Sequence, residues 1–186
     1  MGKINDVSAT PPTQSYRPVR RIVTGENASG RSSIVSDQAT PNVVLRSGAP
    51  VAQVVWATGQ ARADGAEPAP AGHAFPFHSE NGSLFRVVDF PPDEMYDKEM
   101  LTEFLDANGV RDKASPRHFW FHKTESLDYA IVLEGEIVAM LDEGETVMKA
   151  GDVLIQRATN HSWSNRTRQN CRMAFVLLSL PVGEPL

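Results

Sequence analysis

The chain has 186 residues, 41% of them hydrophobic and 22% charged, with a formal net charge of −5. That length suits one domain with its own core, and dispersed Lys and Arg without a basic stripe exclude a nucleic-acid surface. No apolar run approaches the ~20 residues that span a bilayer, no apolar signal core opens the chain, and Cys171 stands alone, so no internal disulfide is expected and the reducing cytoplasm is the simplest location.

Residues 1–18 are rich in Pro, Ser and Thr and read as a flexible arm. The single domain then runs over 19–186. Strands are expected at VRRIV (19–23), RSSIVSD (31–37), VVLR (43–46) and VAQVVWA (51–57), separated by turns at 24–27 and 40–42. From Thr58 to Ser83 the chain loosens into Gly, Ala and Pro, a long surface loop with His73 and His78 facing solvent. SLFRVVDF (83–90) is a strand ended by Pro91-Pro92. Asp93 to Ala107 reads as a helix. Met100, Leu101, Phe104 and Leu105 share one face, acids near its start suit the dipole, and Asn108-Gly109 stops it. Its expected place is against the outside of the β structure.

The stretch from His118 to Asn165 organises the rest. HFWFHKTESLDYAIVLEGE (118–136) and AGDVLIQRATNHSWSN (150–165) each set a histidine beside strand-forming residues, with a polar hairpin tip at 142–145 between them. Gly135 is the bend after the first of these strands. Asp128, Ala130 and Val132 point one way and Tyr129, Ile131 and Leu133 the other. Both rows are largely apolar, so both faces are expected to be covered, by a second sheet or a dimer partner. RMAFVLLS (172–179) adds a last strand.

The stretch from Pro116 to Asn165 resembles the cupins. Their first motif reads G, five residues, H-x-H, three or four residues, E, six residues, G. Here it is Pro116, His122, Lys123, Thr124, Asp128 and Gly135. Their second reads G, five residues, P-x-G, two residues, H, three residues, N. Here Gly151 leads through Arg157-Ala158-Thr159 to His161 and Asn165, one residue short before the histidine. The resemblance implies an all-β, double-stranded β-helix barrel of the jelly-roll kind, with barrel motifs over 116–179, extra N-terminal strands and one short helix. It also implies a divalent metal. Position by position the ligand set becomes His122, Thr124, Asp128 and His161, with a hydroxyl for one imidazole and a shorter carboxylate. His122, Asp128 and His161 would hold iron, manganese, nickel or zinc, and an ion-free pocket is the other reading.

Other candidates follow from position. If the strand through His122 is regular, His118, Trp120, His122 and Thr124 share a face, which makes His118 a reserve acid–base group or a histidine at the barrel mouth. Thr124 would hold a water or a substrate oxygen. Trp120 and Trp163 would wall a cavity or pack a core. Arg157 would clamp a carboxylate or cap a turn. The expected function is processing of a small organic molecule inside the barrel by a dioxygenase, dehydratase, decarboxylase or isomerase, with His122 or His161 as general base if no metal is present. The alternative is a barrel that binds a small ligand unchanged. Exposed strand edges predict a homodimer.

Overall fold

A computed structural model describes residues 16–59, 75–77, 81–113 and 117–180. The expected His73 and His78 loop positions and the Pro116 motif position lie outside the described residues. Strands β1 (Arg20–Glu26), β2 (Ser32–Ala39), β3 (Asn42–Val44), β4 (Val51–Ala57) and β5 (Ser83–Phe90) come first, followed by helix α1 (Lys98–Ala107). Strands β6 (Ser126–Glu134), β7 (Glu136–Leu141), β8 (Glu145–Lys149), β9 (Val153–Arg157), β10 (His161–Ser164) and β11 (Cys171–Ser179) complete the order.

A six-stranded antiparallel sheet runs β3-β4-β5-β11-β6-β9, and a three-stranded sheet runs β10-β7-β8. Their inner faces share one core. Val88, Ala130, Val132, Met173 and Phe175 from the larger sheet meet Ile137, Ala139, Met148 and Trp163 from the smaller. This is the jelly-roll barrel the sequence predicts. Cys171 opens β11 within that core and is fully buried, its thiol pushed up to about 12 by burial and the nearby acids Asp89 and Glu136. Strands β1 and β2 form a separate hairpin.

Alternation on β6 follows the prediction, but only one face is covered within the chain. Asp128, Ala130 and Val132 are buried, whereas Tyr129 is 37% and Leu133 44% exposed, beside Val153 and Ile155 at 58% and 50%. The bend at Gly135 has φ 82°, and a Cβ there would sit 2.9 Å from the Asn170 carbonyl oxygen, so glycine is required on both counts.

The helix starts later than expected. Asp93–Met95 form a single 3₁₀ turn, and α1 begins after Asp97, whose carboxylate accepts from the Met100 N–H. The helix also does not lie on the outer wall, because its Leu101 and Phe104 line the barrel cavity. The last residues of the expected arm are docked. The Arg17 carbonyl accepts from Gln53 Nε2 at 3.0 Å and from Arg172 Nη2 at 2.5 Å.

Candidate functional site

The two motif histidines are brought together by backbone pairing. His122 lies outside a regular strand, in an isolated bridge to His161, with reciprocal N–H to carbonyl bonds of 2.9 and 3.0 Å. Directly opposed residues share a face, and the two rings stand with centroids 4.4 Å apart. The loop before His161 is held by Ala158, whose φ of 48° places a non-glycine residue in the left-handed region.

Each imidazole is oriented by a main-chain oxygen. His122 Nδ1 lies 2.7 Å from the Trp120 carbonyl and His161 Nδ1 2.9 Å from the Thr159 carbonyl. A carbonyl only accepts, so both rings carry their proton on Nδ1 and leave Nε2 as a bare lone pair. Both rings are buried. Burial, aided by His161 and Arg86, lowers the His122 pKa to about 3, and burial lowers that of His161 to about 4. Both are therefore neutral at physiological pH.

The rings face a cavity of about 440 Å³. Its walls are aromatic and apolar, including Phe90, Phe104, Trp120, Trp163 and Phe175. Polar groups are few: Thr124 and Asp128 join the histidines, Asn108 follows the end of α1, Arg86 projects from β5, and exposed Arg46 marks the rim, its guanidinium 4.2 Å from the centre of the Phe104 ring. Asp128 is buried, and burial raises its pKa to about 6 against the opposing pull of Ser126, Arg86 and Thr124. Its Oδ1 is buried without a hydrogen-bond partner.

The expected metal set is only partly assembled. Two imidazoles with Nδ1 tied back and Nε2 free are what a metal takes from histidine. The carboxylate does not join them. Among the described residues, no three His, Cys, Asp or Glu side chains are grouped to hold an ion. Asp128 feels a different cation, the Arg86 guanidinium. The donor set therefore falls short of the His/Asp/His centre.

Of the other expected residues, Thr124, Trp120 and Trp163 do line the cavity. His118 does not. The chain around it is irregular, and its ring turns away, with Nδ1 2.6 Å from Ser162 Oγ and Nε2 3.3 Å from Asp93 Oδ2. Asp93 also accepts from Ser164 Oγ and the Asn165 N–H. Burial alone would raise its pKa, but the bonds from His118, Ser164 and Asn165 hold it below the usual carboxylate range. His118 thus fastens the turn before α1 to β10. Arg157 is exposed, because Gln156 takes the inward position on β9 and its neighbour must point out. The arginines that do line the cavity are Arg86 and, at the rim, Arg46. The signal of Arg86 was present in the sequence, as a charge in the otherwise apolar row Leu84, Val88 and Phe90.

Comparison with known proteins agrees with the fold. Residues 111–178 match the model of the Cupin domain family. The Cupin-domain-containing oxidoreductase virC of Hypocrea virens is 30% identical over 91% of this chain and 80% of its own length. The Cupin-domain-containing oxidoreductase fogC of Aspergillus ruber is 31% identical over 90% and 75%. Phomopsin biosynthesis cluster protein D of Diaporthe leptostromiformis is 54% identical over 59 residues, 31% of each chain. A crystal structure of a putative ethanolamine utilization protein Q from Salmonella typhimurium covers 89% of this chain and all of its own, with a TM-score of 0.43 and 11% identity.

Proposed function

This chain belongs to the cupin-domain proteins, and on that premise we propose that it is an enzyme of the oxidoreductase class acting on a small organic molecule inside the barrel. The observation that carries this reading is the pair of bare Nε2 atoms, His122 and His161, aimed into an aromatic cavity beside Asp128. The names of the full-length relatives from Hypocrea virens and Aspergillus ruber support the class. Of the reaction types open from the sequence, oxygenation is the one that is an oxidation, with dioxygen as the oxidant that accepts the electrons once the substrate proton is removed.

The residues supply proton handling. His161, the less depressed imidazole, is the base, and the charge it gains on protonation disfavours a second proton on the neighbouring His122. An imidazole with so low a pKa is a weak base, so it acts on a proton already made acidic, such as one next to a carbonyl. Asp128, whose pKa burial raises to about 6, is an acidic group in the same cavity, and the cation it feels is Arg86 rather than either imidazole. Thr124 offers a hydroxyl to a substrate oxygen, and Trp120 and Trp163 hold the flat or apolar body.

The test is untargeted mass spectrometry of a mixture of small carbonyl compounds before and after incubation with the protein. A product whose formation disappears in His161→Asn and His122→Asn supports the enzyme. A compound bound tightly but recovered unchanged from the denatured protein supports the ligand-binding alternative.

A further inference from the structure

An arginine in the wall of an apolar cavity is expensive to bury, and Arg86 is only partly compensated. Its Nη2 donates to the Pro76 and Phe77 carbonyls, both at 2.7 Å, while its Nε is buried with no partner. Asp128, two strands away across β11, has the complementary defect, a buried Oδ1 that accepts nothing. The two groups attract each other, yet no ion pair joins them. The backbone spacing explains the gap, since strands separated by one neighbour lie roughly 10 Å apart.

Charge around the cavity is lopsided. Both histidines are neutral, Asp128 is the one acidic lining residue described, and Arg86 and Arg46 are both cationic. A site with two guanidinium groups and one carboxylate, walled by aromatic rings, draws in anions and strengthens their hydrogen bonds by excluding water. A neutral ligand would leave Arg86 uncompensated.

We infer that the cavity takes a small, mostly apolar or aromatic carboxylate, its carboxyl group on Arg86 and its body against Trp120, Trp163 and Phe175. This rests on the reading of the cavity as the functional site. Arg86 is thereby the specificity-determining residue, in the role the sequence offered to Arg157. Asp128 sets the depth of entry, because a carboxylate moving past Arg86 meets a like charge.

The experiment is a binding titration of the full chain, read by tryptophan fluorescence and by calorimetry, with phenylacetate and its neutral counterpart 2-phenylethanol as probes. We expect phenylacetate to bind at least about tenfold more tightly, the discrimination a charge-assisted hydrogen bond supplies. Arg86→Gln should erase the preference and leave 2-phenylethanol binding unchanged. Arg86→Lys, which keeps the charge and guards against a variant that does not fold, should weaken phenylacetate several-fold and 2-phenylethanol not at all. Equal binding of the two probes, or a preference that survives Arg86→Gln, overturns the inference and leaves the cavity reading standing. Binding of neither probe overturns both.

Discussion

The larger sheet carries two arginine–aspartate pairs, one on each face. On the outer face, Arg172 of β11 sits opposite Asp89 of β5 and grips it with two hydrogen bonds of 2.7 Å, with the Arg17 carbonyl taking a further donor. Inside, Arg86 and Asp128 stand two strands apart with a buried atom each left unpaired. Both pairs are made of the same residue types, and both aspartates are buried. Direct cross-strand partners can close a bidentate pair, whereas residues separated by a third strand cannot. The closed pair holds the fold and the open one is left for a ligand.

The contrast is broken most forcefully at the closed pair. Arg172→Met leaves Asp89 as a buried charge without its partner, a loss of about 3–5 kcal/mol. Arg86→Met removes a guanidinium that is already short of partners and should cost about 1 kcal/mol or less. Urea unfolding of the two variants side by side is the measurement, and equal losses would end the distinction.

Mild acid, between pH 7 and 5, probes the inner face through His122, His161 and Asp128. The lowered pKa values of His122 and His161 mean that the unfolded chain takes up protons below about pH 6.5 while the folded chain does not, so stability falls with pH there. From pH 7 to 5 each histidine contributes a loss of about 2 kcal/mol. Asp128, with its raised pKa, works the other way. It destabilises the fold as pH rises through 4 to 6, so acidification regains about 1 kcal/mol. The net expectation is a loss of about 3 kcal/mol, reduced to about 1 kcal/mol in His161→Asn, by unfolding midpoints across the pH series.

Activity sharpens the same boundary. His161→Asn should lower turnover at least about 100-fold, the usual worth of a positioned base. His118→Asn should leave turnover within a few-fold while lowering Tm, because its ring ties Asp93 to β10 away from the cavity. A His118 effect on turnover as large as that of His161 would redraw the site. The smallest effect is expected on the outer wall. Ile155→Lys should change stability by under about 0.5 kcal/mol yet shift a homodimer to monomer in light scattering, if a second copy covers the exposed Tyr129, Leu133 and Ile155 row.

Much of this was legible in the sequence because strand alternation is a local rule. The inward row of Asp128, Ala130 and Val132 follows from period two alone, and the pairing of His122 with His161 follows from the motif resemblance. Arg157 was misplaced by the same rule, unapplied: its neighbour Gln156 is the inward one. His118 escaped because the chain from it to His122 is not a strand, and no periodicity governs an irregular segment. Arg86 escaped for a different reason. A charge in an apolar row is visible, but which aspartate it would face depends on strand order, and β5 and β6 become near neighbours only through β11.

Cys171 gives the protein a clock of its own. With its sulfur fully buried at the head of β11 and its thiol held far from ionisation, a thiol-specific reagent reaches it only when that strand parts from β5 and β6. One chain carries one thiol, so the labelling rate counts barrel openings per unit time, with no dye introduced and no residue changed. A carboxylate seated on Arg86 should slow that clock as the site fills.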